Sequence, residues 1–447
     1  MIINKYYNLA KNILFPINRS ITGNGTLKTL KIIKEQLPIL KIKKIKSGLK
    51  VFDWTIPEEW NVKEAYILDK FGNKIIDFKN NNLHLVSYSM PYNNTVSKKI
   101  LFEKLFVFKN RPDAIPYITS YYKKNWGFCI SYNQKKFFDY KYKSSDKFKV
   151  VINSEFKKDG FLNYGEVYLK GKTKDEILIS TYICHPSMAN NELSGPIVSM
   201  SLINYFNKRK NLEKSIRFVF IPETIGSIAF INSNYKKLKK NVIGGYNLTC
   251  IGDDRQHSCM FSKYQNSPSD FSLKKAYKKL NIKYKSYGFL TRGSDERQYN
   301  SPGVDLQITS IFRTKFNEYP EYHTSDDNFE LVTRKGVLGG FNVAKNAINI
   351  LLKTIFPKNI IMCEPQMGKR KLYPTQGRIP LAARKMEKNY YSLLIKEKNK
   401  ITSHDYMNFL QYADGKNSLE EMSEIINISF IKIKKIYKIL KKKKLIN

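Results

Sequence analysis

Residues 176–195 read EILISTYICHPSMANNELSG. The first eight, Glu176 to Ile183, form an apolar run of the length expected for a buried strand. His185 follows in a polar loop, and Ser194-Gly195 then opens a stretch with helical periodicity, Val198, Leu202, Tyr205 and Phe206 falling on one face of a helix predicted over 194–208. The C-terminal edge of a buried strand is where open α/β sheets place their ligands. A histidine at that edge is a candidate functional residue; taken alone, a histidine in a loop is more often structural.

The same grammar recurs on the C-terminal side. SIRFVFI (215–221) leads into PETIGS with Glu223, VIGGYNLTCIG (242–252) carries Thr249, and VDLQITSIF (304–312) precedes EYPEYHTSDDNFE (318–330) with Tyr322 and His323. Helical segments are predicted over 227–238, 271–280 and 335–352. Strands alternating with helices predict an α/β sandwich built on a mostly parallel, mixed sheet. FKVVINSEF (148–156) reads as one more buried strand of that sandwich.

On the N-terminal side the grammar changes. Residues 26–36 read as a helix with Leu27, Leu30, Ile33 and Leu37 on one stripe and Pro38 as its stop. Between 49 and 147 short aromatic and β-branched runs such as KVFDWTIP and LHLVSYS alternate with turns, which predicts an inserted β-rich domain. The expected organisation is 1–48 as the helical N-terminal part of the main domain, 49–147 as the insert, and 148–362 as the α/β domain. A linker around Pro365–Pro380 then leads to a small helical domain over 363–447. In that tail Ser418-Leu-Glu-Glu421 is a capping-box pattern, with Leu419, Met422, Ile425 and Ile426 as one apolar face. Ser429 caps a further helix with Phe430, Ile433, Tyr437 and Leu440 inside. Helix, tight turn, helix is a helix-turn-helix signature.

Lys and Arg exceed Asp and Glu by 78 − 38 = +40 in 447 residues. A charge of that size invites an anionic partner, but the lysines are spread along the chain apart from the C-terminal run, as expected of a solvated surface. Lys432, Lys434, Lys435 and Lys438 decorate the last helix without the Arg, Asn or Gln cluster that reads base edges, so nucleic acid is not the expected partner. A protein partner or a second copy of the chain, met through the small C-terminal domain, is. Five cysteines, none in a C-x-x-C pair, fit a reducing compartment. The N-terminus lacks a secretory pattern and no apolar run reaches membrane-spanning length. A cytoplasmic location without membrane association is expected.

The candidate chemistry lies at the strand ends. A hydrolytic metal needs neutral imidazole or carboxylate ligands and one open position, which His185 and His323 with nearby carboxylates could supply. Glu223, past a buried strand, suits a general base; alternatively it caps the helix that follows. In TRGSDERQYNSPG (291–303), Asp295 could be a ligand or support one, and Arg292 and Arg297 could hold a substrate carboxylate or phosphate. The alternative is a solvated loop of self-neutralising charges.

HPSMANNELSG, PETIGS, RGSDERQY and EYHTSDD resemble, in this order, the metal-site segments of zinc aminopeptidases, glutaminyl cyclases and glutamate carboxypeptidase-type enzymes. With LFPINRSITGNG, FDWTIPEEW, NNLHLVSYS and IPYITSYYKKNWGFC, the chain more closely resembles a bacterial family with an aminopeptidase-like domain, associated with polysaccharide biosynthesis. The resemblance covers nearly the whole chain. It implies a zinc-exopeptidase-like three-layer α/β sandwich, a β-rich insert and a C-terminal winged helix. By the same resemblance His185 and His323 are zinc ligands, Glu223 the general base and Tyr322 an oxyanion-steadying group. Asn191, Thr224 and Thr249 stand where the family's enzymes carry metal-binding carboxylates. One zinc ion is therefore expected, held by His185 and His323 with help from Asn191, Glu192, Asp295 or Glu223. The implied function is a zinc-dependent hydrolase acting on a peptide or small acyl-amide. The alternatives are a catalytically inactive scaffold that binds a carbohydrate or nucleotide-linked ligand, and a DNA-binding regulator.

Overall fold

Four apolar runs between residues 176 and 312 become neighbouring parallel strands. Glu176–Tyr182 lies between Ser215–Ile221 and Val242–Leu248, and Ile308–Phe312 pairs on the far side of Val242–Leu248. Every residue of the strands 176–182, 215–221 and 308–312 is buried. Such strands, covered on both faces, read as continuous apolar runs. The charged exceptions are matched to each other: Arg217 reaches across to Glu176, Nη2 to Oε2 at 2.9 Å, and also to Glu166. The structure, a computed structural model, describes residues 2–372 and 401–447. The C-terminal part of the Pro365–Pro380 linker lies outside those residues.

Four further strands extend this parallel centre to an eight-stranded mixed sheet, pairing antiparallel except for Lys285–Tyr287, which pairs parallel with Ser258–Met260. Phe161–Leu169 and then Lys41–Lys46 add on one side, Ser258–Met260 and Lys285–Tyr287 on the other. The edge strand Lys41–Lys46 exposes all four of its lysines and buries only Ile45. The helices Ser194–Asn207, Ile225–Asn241 and Arg334–Lys353 come within a residue or so of the predicted starts and ends, apart from longer ends on the second. Gly195 is required where it stands, because a Cβ there would sit 2.1 Å from Thr181 Oγ1 and 2.3 Å from the Leu248 carbonyl oxygen. The helix that follows His185 can thus start hard against the strand ends.

A second, antiparallel sheet has the order Lys74–Asp77, Glu59–Leu68, Lys147–Lys157, Tyr92–Ser97. The strand FKVVINSEF belongs here and not to the large sheet. Its burial alternates along much of its length, as expected of a strand covered on one face, whereas the central strands of the large sheet are buried on both. Both sheets belong to one compact unit, residues 1–265 and 272–352, and share an apolar cluster that runs from Trp60 and Ile152 to Leu178 and Ile221.

The second unit comprises residues 266–271 and 353–447. It holds the helices Ser403–Tyr412, Leu419–Ile426 and Phe430–Lys442 with isolated bridges Lys358–Asp414 and Asn359–Ile446. The Ser418–Glu421 capping box is formed, and Asn427 turns the chain in the left-handed region before Ser429 caps the last helix. The buried stripe there is Ile433, Ile436 and Leu440. Phe430 and Ile425, expected inside, are 36% and 46% exposed. Each lies at an end of its helix, where the stripe has rotated off the core.

Candidate metal and hydrolytic site

The C-terminal ends of the parallel strands carry the predicted residues into one region. His185 comes three residues after Glu176–Tyr182, Glu223 two after Ser215–Ile221, and Thr249 directly after Val242–Leu248. His323 arrives on the loop that follows Ile308–Phe312. The turns are sharp: Ser187, Thr224, Cys250 and His323 all have left-handed backbones, with φ of 43°, 62°, 46° and 55°. Thr224 is β-branched, for which that region is costly. Backbone strain of this kind collects at functional sites.

The two imidazoles face each other, ring centroids 5.4 Å apart. His185 Nδ1 is 2.7 Å from Glu192 Oε2, and its other nitrogen, Nε2, lies 3.8 Å from Glu223 Oε2. His323 Nε2 is buried and has no hydrogen-bond partner among the described residues. Burial, and the charge of His185 beside it, push the His323 pKa well below the ordinary histidine range, so the ring is neutral with a lone pair available. Burial pulls His185 down as well, yet the Cys184 sulfur and the Glu192 carboxylate outweigh it and the net shift is upward. Burial raises Glu223, against the opposing pull of His185, Ser294 and Arg297.

Glu192 stands behind His185 and not in front of it. Its carboxylate lies between His185 Nδ1 and the fully buried Arg19, whose Nε is 3.9 Å from Oε1 and donates to the His185 carbonyl oxygen at 2.9 Å. Cys184, His185 and Glu192 bring donor atoms within 4.8 Å of one another. The 2.7 Å separation is nevertheless that of a hydrogen bond. Two donors on one tetrahedral zinc ion, each about 2.0–2.1 Å from it, are held roughly 3.3 Å apart. A carboxylate on Nδ1 is the usual partner of a histidine whose Nε2 holds a metal.

Asn191 and Thr249 meet through Tyr182, whose hydroxyl is 2.8 Å from Asn191 Oδ1 and 2.5 Å from Thr249 Oγ1. Three uncharged groups thus occupy the neighbourhood where the resemblance calls for further carboxylates. Asp295 sits under the Glu223 turn, accepting from the Thr224 N–H and the Ser227 hydroxyl, each at 2.8 Å. Its other oxygen has no partner among the described residues. Burial first, and then Glu223, push its carboxyl up to about 8. Arg297 is half-buried and binds Thr224 Oγ1 at 2.5 Å. Arg292 is exposed, and among the described residues its guanidinium donates only to the Phe289 carbonyl oxygen within its own loop. Tyr322 stacks on His323, centroids 3.9 Å apart.

Sequence reading alone leaves three contributors unnamed. Asp327 accepts from the N–H groups of Ala189, Asn190 and Asn191 and from the Tyr319 hydroxyl, tying the His323 loop to the His185 loop. Arg19 and Tyr117 are the others. Asp327 lies in the quoted EYHTSDD segment and Arg19 in LFPINRSITGNG, so the resemblance marked the stretches but not the roles. His84 is structural: buried, with Nδ1 2.8 Å from the Cys129 carbonyl oxygen.

Residues 7–354 match a family described as a domain of unknown function, DUF4910. The chain belongs to that family. Residues 355–447 match a winged helix-turn-helix family. A Clostridium acetobutylicum relative, provisionally named a polysaccharide biosynthesis protein with aminopeptidase-like domain, is 42% identical over 376 residues, 83% of each chain. A crystal structure from the same organism, provisionally named a peptidase, is 36% identical with a TM-score of 0.76, covering all of this chain and 96% of that one. The zinc aminopeptidase BSAP from Bacillus subtilis is similar in fold, with a TM-score of 0.57 over 77% of this chain and 93% of its own at 14% identity. This DUF4910 chain therefore has an aminopeptidase-like α/β fold followed by a winged helix. Among the described residues no helix is long and apolar enough to cross a membrane.

Proposed function

We propose that the chain is a hydrolase that uses one zinc ion to cleave an amide bond in a peptide or small acyl-amide. The observation that carries this reading is the buried Nε2 of His323, unpartnered among the described residues, in a ring facing that of His185, whose own Nε2 is turned toward Glu223. A buried polar atom without a partner is costly, and a ligand atom for a cation is one physical reason to keep it. His185 and His323 would hold zinc through Nε2, with the Glu223 carboxylate beside them and Glu192 behind His185. Zinc, when bound, supplies Lewis acidity at that point.

The chain's own groups do the rest. Glu223, whose pKa burial has raised, is matched to taking a proton from the attacking water at Oε2 and handing it to the leaving amine. Asp295 holds the Thr224 turn that presents Glu223. The Tyr322 hydroxyl is the candidate donor to the developing oxyanion. Arg292 and Arg297 are candidates to hold an anionic group of the substrate. Purified protein should carry about one zinc per chain, lost in His185→Ala and His323→Ala. Glu223→Gln should keep the metal and lose hydrolysis of an aminoacyl or N-acyl amide panel. Full metal retention in both histidine variants would end this reading.

A second reading is favoured by the neutral Asn191–Tyr182–Thr249 group. In it the scaffold binds a carbohydrate or nucleotide-linked ligand in surface polysaccharide biosynthesis, without chemistry, in line with the name of the Clostridium relative. A sharp gain in metal affinity in Asn191→Asp, with no hydrolysis in wild type or variant, would favour it.

A further inference from the structure

The structure assigns Tyr117, on a loop of the β-rich segment, as a positioning residue that sets the spacing and tilt of the two imidazoles; the assignment rests on the metal reading above. The Tyr117 ring packs edge-on against both of them, with centroids 5.1 Å from His185 and 5.2 Å from His323. It is 8% exposed. Tyr182 packs on the His185 ring and Tyr322 on the His323 ring, whereas Tyr117 meets both.

The backbone around it is locked to the His323 loop. The Tyr117 N–H donates to the His323 carbonyl oxygen at 2.8 Å. The Ser325 N–H donates to the Ile115 carbonyl oxygen at 2.8 Å, the Ile115 N–H donates to Ser325 Oγ at 3.0 Å, and Pro116 bridges Thr324. Arg111 closes the segment with an ion pair to Asp326. On its other side the loop pairs with residues 85–89, through Ser87 to Ile118 and Ser120 to Ser87. From there an aromatic series returns to the antiparallel sheet. The Tyr117 hydroxyl meets that of Tyr121 at 3.0 Å, Tyr121 packs on Tyr88, and Tyr88 stacks on Trp60 of the strand Glu59–Leu68.

This geometry explains how His323 is fixed although its buried Nε2 has no hydrogen-bond partner among the described residues. A ring held by packing keeps its place only while its neighbours fill the space, and the neighbour common to both imidazoles is Tyr117. The aromatic body, not the hydroxyl, is the working part. The β-rich segment is thereby part of the site and not an appendage to it.

The test measures zinc affinity by chelator competition, and the visible spectrum of the cobalt-substituted protein, in wild type, Tyr117→Phe and Tyr117→Leu. Wild-type values are expected for Tyr117→Phe. Tyr117→Leu should bind zinc at least about tenfold more weakly, the scale of loss for groups that orient metal ligands, with a changed cobalt spectrum. If Tyr117→Leu does not fold, Tyr117→Met, unbranched and more adaptable to an irregular space, is read by the same criterion. Wild-type affinity and an unchanged spectrum in the truncated variant would overturn the assignment while leaving the metal reading intact. Equal loss in Tyr117→Phe would overturn it too, by moving the role to the hydroxyl. Absence of zinc binding in the wild type itself would overturn both.

Discussion

His185 and His323 reach the same place by different physics. His185 is fixed by polar contacts: Glu192 on its second ring nitrogen, and the buried Arg19 on its carbonyl oxygen. His323 has no partner on its buried Nε2 among the described residues, sits on a left-handed backbone, and is held between the Tyr322 face and the Tyr117 edge. The difference teaches that a ring can be aimed either by a hydrogen bond or by shape. The first kind is vulnerable to loss of charge, the second to loss of volume.

The largest effect is expected on the polar side. Arg19→Met leaves Glu192 buried without its counter-charge, and breaking a buried pair from one side costs about 3–5 kcal/mol. Chemical denaturation would read this directly, and a loss below about 1 kcal/mol would show that Arg19 does not support His185 electrostatically. Next is Glu192→Gln, which keeps shape and removes charge. It should weaken zinc binding by about 10–100-fold in a chelator titration, and an unchanged affinity would place the support of His185 elsewhere.

On the packing side the effect is expected to be smaller. Tyr322→Phe preserves the stack on His323 and should leave zinc affinity as it is, while Tyr322→Leu should lower it by less than about tenfold. The reverse ranking would mean that the Tyr322 hydroxyl, and not its face, orients His323. The last prediction concerns pH in the metal-free protein. The Asp295 carboxyl is pushed up to about 8, against about 4 in an unfolded chain. The native state keeps a proton that the unfolded chain releases, so this contribution to stability is complete below about pH 4 and lost as pH rises through about 8. Asp295→Asn retains an oxygen for Thr224 and Ser227. Its melting temperature should therefore fall by a few degrees less than that of wild type between about pH 5 and about pH 9; parallel curves would refute the assignment of that proton.

The sequence displays the parallel centre of the sheet clearly, because strands buried on both faces leave unbroken apolar runs. It displays the His185, Glu223 and His323 loops because each directly follows such a run or its loop. It does not display what orients them. Glu192 folds back beneath His185 on a single π-helical turn, Ala189–Leu193, a geometry that no regular periodicity announces. Arg19 is 166 residues from the histidine whose carbonyl it holds, and Tyr117 comes from a segment whose local pattern says only turn and strand. The strand FKVVINSEF shows the same limit: its alternation declares a strand, and nothing in it declares which sheet. At Phe430 and Ile425 an apolar residue was legible, but not the point at which its helix leaves the core.

The edge strand Lys41–Lys46 has a consequence for how copies of this chain behave in solution. A wide sheet ends in backbone amides and carbonyls that could template a strand from another molecule, and natural edges discourage this with charge. Here the lysines of KIKKIK stand exposed along the rim, so any incoming strand meets a row of ammonium groups before it meets the backbone. The opposite rim is only three residues long and also carries a lysine, Lys285. Part of the chain's large positive charge thus guards against runaway sheet growth, a task that needs no anionic partner at all.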